Sequence, residues 1–144
     1  MQERQVLASE QRVLRWGGLA GALGSVLMIA VFVIVGVFVG EAAADPKGAL
    51  IGFPDIQTAR TVENSLYLLV LALWGVHFVG LYRAVRTSLA PALVGGAISL
   101  VGLTVLVAGA LPHVATVPVS ALYHAPGVTP DDQATLLLIW QAVQ

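Results

Sequence analysis

Charged residues divide this chain into long apolar runs. No Asp, Glu, Lys or Arg occurs from Trp16 to Gly40, and the block from Val26 to Val35 inside that run is wholly apolar. An ionised side chain at the bilayer centre costs at least about 2.5 kcal/mol on insertion scales, so charge-free runs of this length read as membrane spans. A second run covers 64–82. A third, 87–130, is too long for one helix, and within it 90–111 makes a full span before Pro112, Pro118 and Pro126 are expected to break the helix. A fourth apolar stretch, 134–143, reaches the end of the sequence. A hydrocarbon core of roughly 30 Å needs about 20 residues at 1.5 Å each. The pattern therefore predicts an all-α membrane protein, a transmembrane helical bundle forming a single domain over 1–144. Its spans are expected at 16–40, 64–82 and 90–111, with a partial fourth at 130–144.

The connecting segments carry their own signals. The stretch 41–63 is expected to turn helical after Pro54, where Ile56, Ala59 and Val62 follow helical spacing. The stretch 111–129 is unusually apolar for a solvated loop, so it is expected on the membrane interface or across the outer ends of the helices. Thr129-Pro130-Asp131-Asp132 reads as a helix start, with Thr as N-cap, Pro at the first helical position and acids in the first turn.

Composition sharpens this picture. The chain is 58% hydrophobic and 10% charged, against about half and about a quarter in soluble domains, which excludes an ordinary soluble enzyme. A net charge of -1 excludes a basic nucleic-acid binder. Without cysteine there is no disulfide, thiol nucleophile, Cys-type zinc site or iron–sulfur cluster. Arg4, Arg12 and Arg15 precede an apolar run that ends in Ala42-Ala43-Ala44, which resembles a peptidase site, but the run exceeds a signal-peptide core of about 7 to 15 residues and reads as an uncleaved span. Those three arginines, with Arg83 and Arg86 between spans two and three, face only Lys47 and Arg60 on the other side, which predicts a cytoplasmic N-terminus in the plasma membrane.

A weak internal repeat is present. Gly17-Gly18 with Gly24 recurs as Gly95-Gly96 with Gly102, and the residues following Pro54 resemble those following Pro130. The two matches suggest duplicated helical hairpins in parallel orientation. On that reading the fourth helix lacks its second half, and the chain looks truncated.

Small residues mark candidate packing faces, because helices in lipid associate by close approach. Gly17, Gly21 and Gly24 form such a stripe on helix one, and Gly95, Gly102 and Gly109 recur every seven residues on helix three. Packing within the bundle is favoured over a homodimer seam. His77 is the one ionisable side chain well inside a span, hence a candidate polar site; the plainer alternative is a ring bonded to a backbone carbonyl or to a Ser such as Ser99. His113 and His124 lie toward the outer end, too far from His77 to share a haem, and with Asp131 and Asp132 they match no established metal spacing. No cofactor and no metal site is expected, and phosphate loops, nucleophile elbows and zinc-protease motifs do not occur.

The Gly-rich first helix, the acidic outer loops, Leu81-Tyr82-Arg83-Ala84-Val85-Arg86 and the opening Leu89-Ala90-Pro91-Ala92-Leu93-Val94-Gly95-Gly96 together resemble small multi-pass bacterial integral membrane proteins of an uncharacterised family, a domain of unknown function. The resemblance implies a membrane location and transfers no activity or site residue. The reading that follows is a non-catalytic structural or accessory subunit, with the lipid bilayer and a membrane protein or second copy as partners and no nucleic acid. The alternative is a small transporter or channel built from repeated hairpins.

Overall fold

The computed structural model describes residues 2–39 and 45–143, with side chains from Ser9 onward. Gly40, the alanine triplet at 42–44 that resembles a peptidase site, and the side chain of Arg4 lie outside the described residues. Helix α1 runs Gln2–Ile34 and continues as a π-helical turn, Val35–Val39; α2 is Pro46–Val85, α3 Leu89–Tyr123 and α4 Pro130–Val143. No strand occurs among the described residues. The most apolar 18 residues of Ser9–Val39, Pro46–Val85 and Leu89–Tyr123 have mean hydropathies of 2.8, 1.8 and 2.2, and these helices are long and apolar enough to cross a membrane. At 14 residues α4 is about 21 Å long, short of a span. The architecture among the described residues is all-α, with three helices long enough to span a membrane and a shorter fourth.

Two boundaries differ from the sequence reading, both through proline. Helix α2 begins at Pro46 rather than after Pro54, which lies inside it. Asp45 caps the start: the Gly48 N–H donates to Asp45 Oδ2 at 2.7 Å, and Pro46 takes the first helical position, where its missing N–H costs nothing. Helix α3 likewise runs through Pro112 and Pro118 to Tyr123, so the expected break is absent and the connection to α4 is short. It turns at Gly127, whose φ of 86° is a left-handed conformation that glycine takes without steric cost. An interior proline costs about 3 kcal/mol in water, but membrane helices tolerate it where neighbouring groups and packing compensate. Here Pro54 follows directly on Phe53, and Pro118 directly precedes Val119, both core residues.

The described helices divide into two compact units: residues 1–29 with 67–107, and residues 30–66 with 108–144. In the second unit Leu50, Phe53, Val119 and Trp140 are buried together, with Ile56, Val117 and Leu136 packed around them. The Phe53 and Trp140 rings meet edge to face at 5.1 Å, a geometry that suits the aromatic quadrupoles. Asn64 Nδ2 donates to the His113 carbonyl at 3.2 Å, tying α2 to α3 there. Within the first unit the packing is built instead on small residues: Gly17, Ala20, Gly21 and Gly24 are buried on α1, and the three glycines lie against Trp74, His77 and Gly80 of α2.

Candidate functional site: the α1–α2 seam and His77

Gly17, Gly21 and Gly24 of helix one face α2. A β-carbon at Gly17 would lie 2.8 Å from Gly80 Cα, and one at Gly24 would lie 2.9 Å from Trp74 Cδ1. Between them, a β-carbon at Gly21 would fall 2.8 Å from His77 Cγ, inside the imidazole ring's own space. Ascending residues 17, 21 and 24 meet descending residues 80, 77 and 74, so this seam is antiparallel. Its closest approach is backbone on backbone, which any side chain at Gly17 or Gly80 would prevent.

The His77 ring occupies the space left by Gly21. Its Nδ1–H donates to the Gly17 carbonyl at 2.9 Å. A carbonyl can only accept, so the proton on Nδ1 is assigned by chemistry, and in the uncharged ring Nε2 then carries the lone pair. The partner is thus a backbone carbonyl of the neighbouring helix, not Ser99. Beside the ring runs a groove of about 400 Å³ lined by Gly21, Ala22, Ser25, Trp74, His77 and Phe78. Ser25 Oγ donates to the Gly21 carbonyl at 2.9 Å, so its hydroxyl proton is already used within α1.

The helix-three glycines behave differently. A β-carbon at Gly95, Gly102 or Gly109 would meet nothing within 4 Å, so this stripe is not a seam of either unit. In the first unit α3 packs through a neighbouring line instead: Ala92 is buried, Gly96 lies against Tyr82, and Leu103 approaches Gly75. One residue of offset turns a helix by about 100°, which carries Gly95 and Gly102 away from the contact.

The outer polar residues are not brought together. His113 is exposed, and its carbonyl accepts from Thr116 Oγ1 at 2.6 Å. His124, also exposed, lies just past the end of α3, where its Nδ1–H donates to the Ser120 carbonyl at 2.9 Å. Among the described residues no group of three or more His, Cys, Asp or Glu could hold a metal ion. Asp131 and Asp132 open α4 as the sequence suggests. Thr129 Oγ1 donates to Asp132 Oδ2 at 2.7 Å, and the Asp132 N–H donates back to Thr129 Oγ1 at 3.2 Å, a reciprocal cap. The Thr129 hydroxyl, and then its backbone N–H, hold the Asp132 carboxyl below its ordinary range.

Among the described residues one ion pair joins α1 to the turn that follows α2, Glu10 with Arg86. It escaped the sequence reading because Glu10 and Arg86 are far apart along the chain. The only hint was Glu10's position one turn from Arg15, among the arginines that precede the first apolar run.

Fold and composition define the chain as an all-α membrane protein. Compared with family models, curated proteins and solved structures, it matches none.

Proposed function

We propose that this chain is a non-catalytic integral membrane protein, a structural or accessory subunit of an assembly in the bacterial plasma membrane. The observation that carries this reading is the free face of α3. Ile98, Val101 and Val105 are exposed beside Gly95 and Gly102, where an added β-carbon would find open space. A helix face low in bulk lets a second helix approach closely, and that approach is what holds membrane helices together. The experiment is to purify the full chain in mild detergent and introduce Gly102→Leu. A complex of fixed stoichiometry that Gly102→Leu dissolves, with unfolding unchanged, supports the reading. A monomer that stays monomeric in lipid bilayers overturns it.

The same reading puts the N-terminus on the cytoplasmic side, an orientation supported by the distribution of basic residues. Among the described side chains Arg12, Arg15, Arg83 and Arg86 belong to the first unit and only Lys47 and Arg60 to the second, an excess of basic residues that favours the N-terminal end inside. Single cysteines at Gln11 and Gly127, in a chain that has none of its own, test it by labelling from each side. The hairpin repeat favours a second reading, a small transporter; liposome uptake that is lost in His77→Ala would establish it over the first.

A further inference from the structure

The His77 ring presents one nitrogen to α1 and leaves the other unused. With Nδ1–H held by the Gly17 carbonyl, Nε2 of the uncharged ring is an acceptor, and it makes no hydrogen bond within the described residues. Two side chains on the groove wall carry donors, and neither serves it. The Ser25 hydroxyl is bonded to Gly21, and the Trp74 indole N–H makes no hydrogen bond to the ring. Water is scarce at membrane depth, so an acceptor placed there is satisfied best by a donor that arrives with a membrane-dissolved molecule.

The walls restrict what that molecule is. Trp74 and Phe78 flank the histidine with aromatic surface, which suits a planar ring. A volume of about 400 Å³ lies toward the small end of small-molecule sites, enough for one substituted ring. Ala22 and Ser25 on the rim are exposed, so entry from the side is open. We propose that the groove between α1 and α2 binds a flat apolar molecule of the phenol or quinol class, with His77 Nε2 accepting its O–H. The proposal is independent of whether the chain serves as an accessory subunit.

Two probes of one shape test it on the full chain in nanodiscs: 4-hexylphenol, and 4-hexylanisole, whose methyl ether has no donor. The phenol is expected to bind roughly tenfold more tightly, the value of about one hydrogen bond, and to shift the ¹⁵N resonance of His77 Nε2. Ala22→Phe, on the exposed rim, is expected to block both probes without disturbing the His77–Gly17 bond. His77→Phe, if it folds, is expected to bring the two affinities within about twofold, since no acceptor is left. Equal affinity of the two probes for the unmodified chain, an unmoved Nε2 resonance, or phenol binding that survives Ala22→Phe unchanged would each overturn the proposal.

Discussion

Gly17→Ala puts the α1–α2 seam to a quantitative test. The new β-carbon would sit 2.8 Å from Gly80 Cα, whereas ordinary contact begins near 3.4 Å. The obstructing atom is backbone, so no rotamer change relieves it and the two helices must separate by roughly 0.6 Å. A gap of about 0.5 to 1 Å forfeits a quarter to a half of the dispersion energy along the opened surface. The same movement would stretch the His77 bond to the Gly17 carbonyl from 2.9 Å toward the limit of hydrogen bonding. Overpacking costs about 1–3 kcal/mol and a weakened hydrogen bond up to about 1 kcal/mol, against a gain of up to about 1 kcal/mol from alanine's helix propensity. The expected net loss is about 1–3 kcal/mol. Gly18→Ala is the matched control, since its β-carbon meets nothing within 4 Å; it should be neutral or gain up to about 1 kcal/mol. Reversible unfolding of both variants in mixed micelles, followed by circular dichroism, measures the difference. If the two unfold within about 0.5 kcal/mol of each other, a margin typical of surface substitutions, the seam does not hold the helices together as described.

Other outcomes follow from the second unit and from the ion pair. Thr129→Ala should destabilise the start of α4 by about 1 kcal/mol, seen as faster amide exchange at Asp131 to Gln133. Because the folded-state value of Asp132 lies below its ordinary 3.8, its contribution is complete above that pH and fades as pH falls through the lowered value; Asp132→Asn should remove this part of the acid dependence. Trp140→Ala should cost about 3–5 kcal/mol in unfolding titrations. Trp140→Phe should cost far less, since it keeps an aromatic ring and deletes a buried Nε1–H that has no partner. Arg86→Ala, which breaks the pair with Glu10, should change stability by less than about 1 kcal/mol, and that difference should vanish in high salt.

How far the sequence could be read depends on the size of each effect. The spans were legible because a charge in lipid costs several kcal/mol, and few substitutions escape that filter. The face of α1 was legible because Gly17, Gly21 and Gly24 share one stripe, yet periodicity assigns a face and not the residue opposite. Nothing in the spacing says that Gly80 and His77 descend past them. On α3 the equivalent stripe pointed to a seam that packs one residue away, through Ala92, Gly96 and Leu103. Pro54, Pro112 and Pro118 misled because a rule for helices in water was applied where packing compensates for the missing N–H. The start of α2 could have been found: Asp45-Pro46 has the same form, a cap followed by proline, that made Thr129-Pro130 readable.

A ring lodged against Gly21 and bonded to Gly17 also acts as an index mark between two sliding rods. Advancing α1 by one residue turns it by about 100° and presents Ala20 or Ala22 where Gly21 had been, so a methyl group meets the imidazole. Advancing it by a whole turn restores a similar face, but the ring then opposes Gly17 or Ser25, and the carbonyl that held Nδ1 has moved by about 5.4 Å. The first unit's segments of α1 and α2 therefore have a detent at one alignment, encoded in a histidine and two glycines.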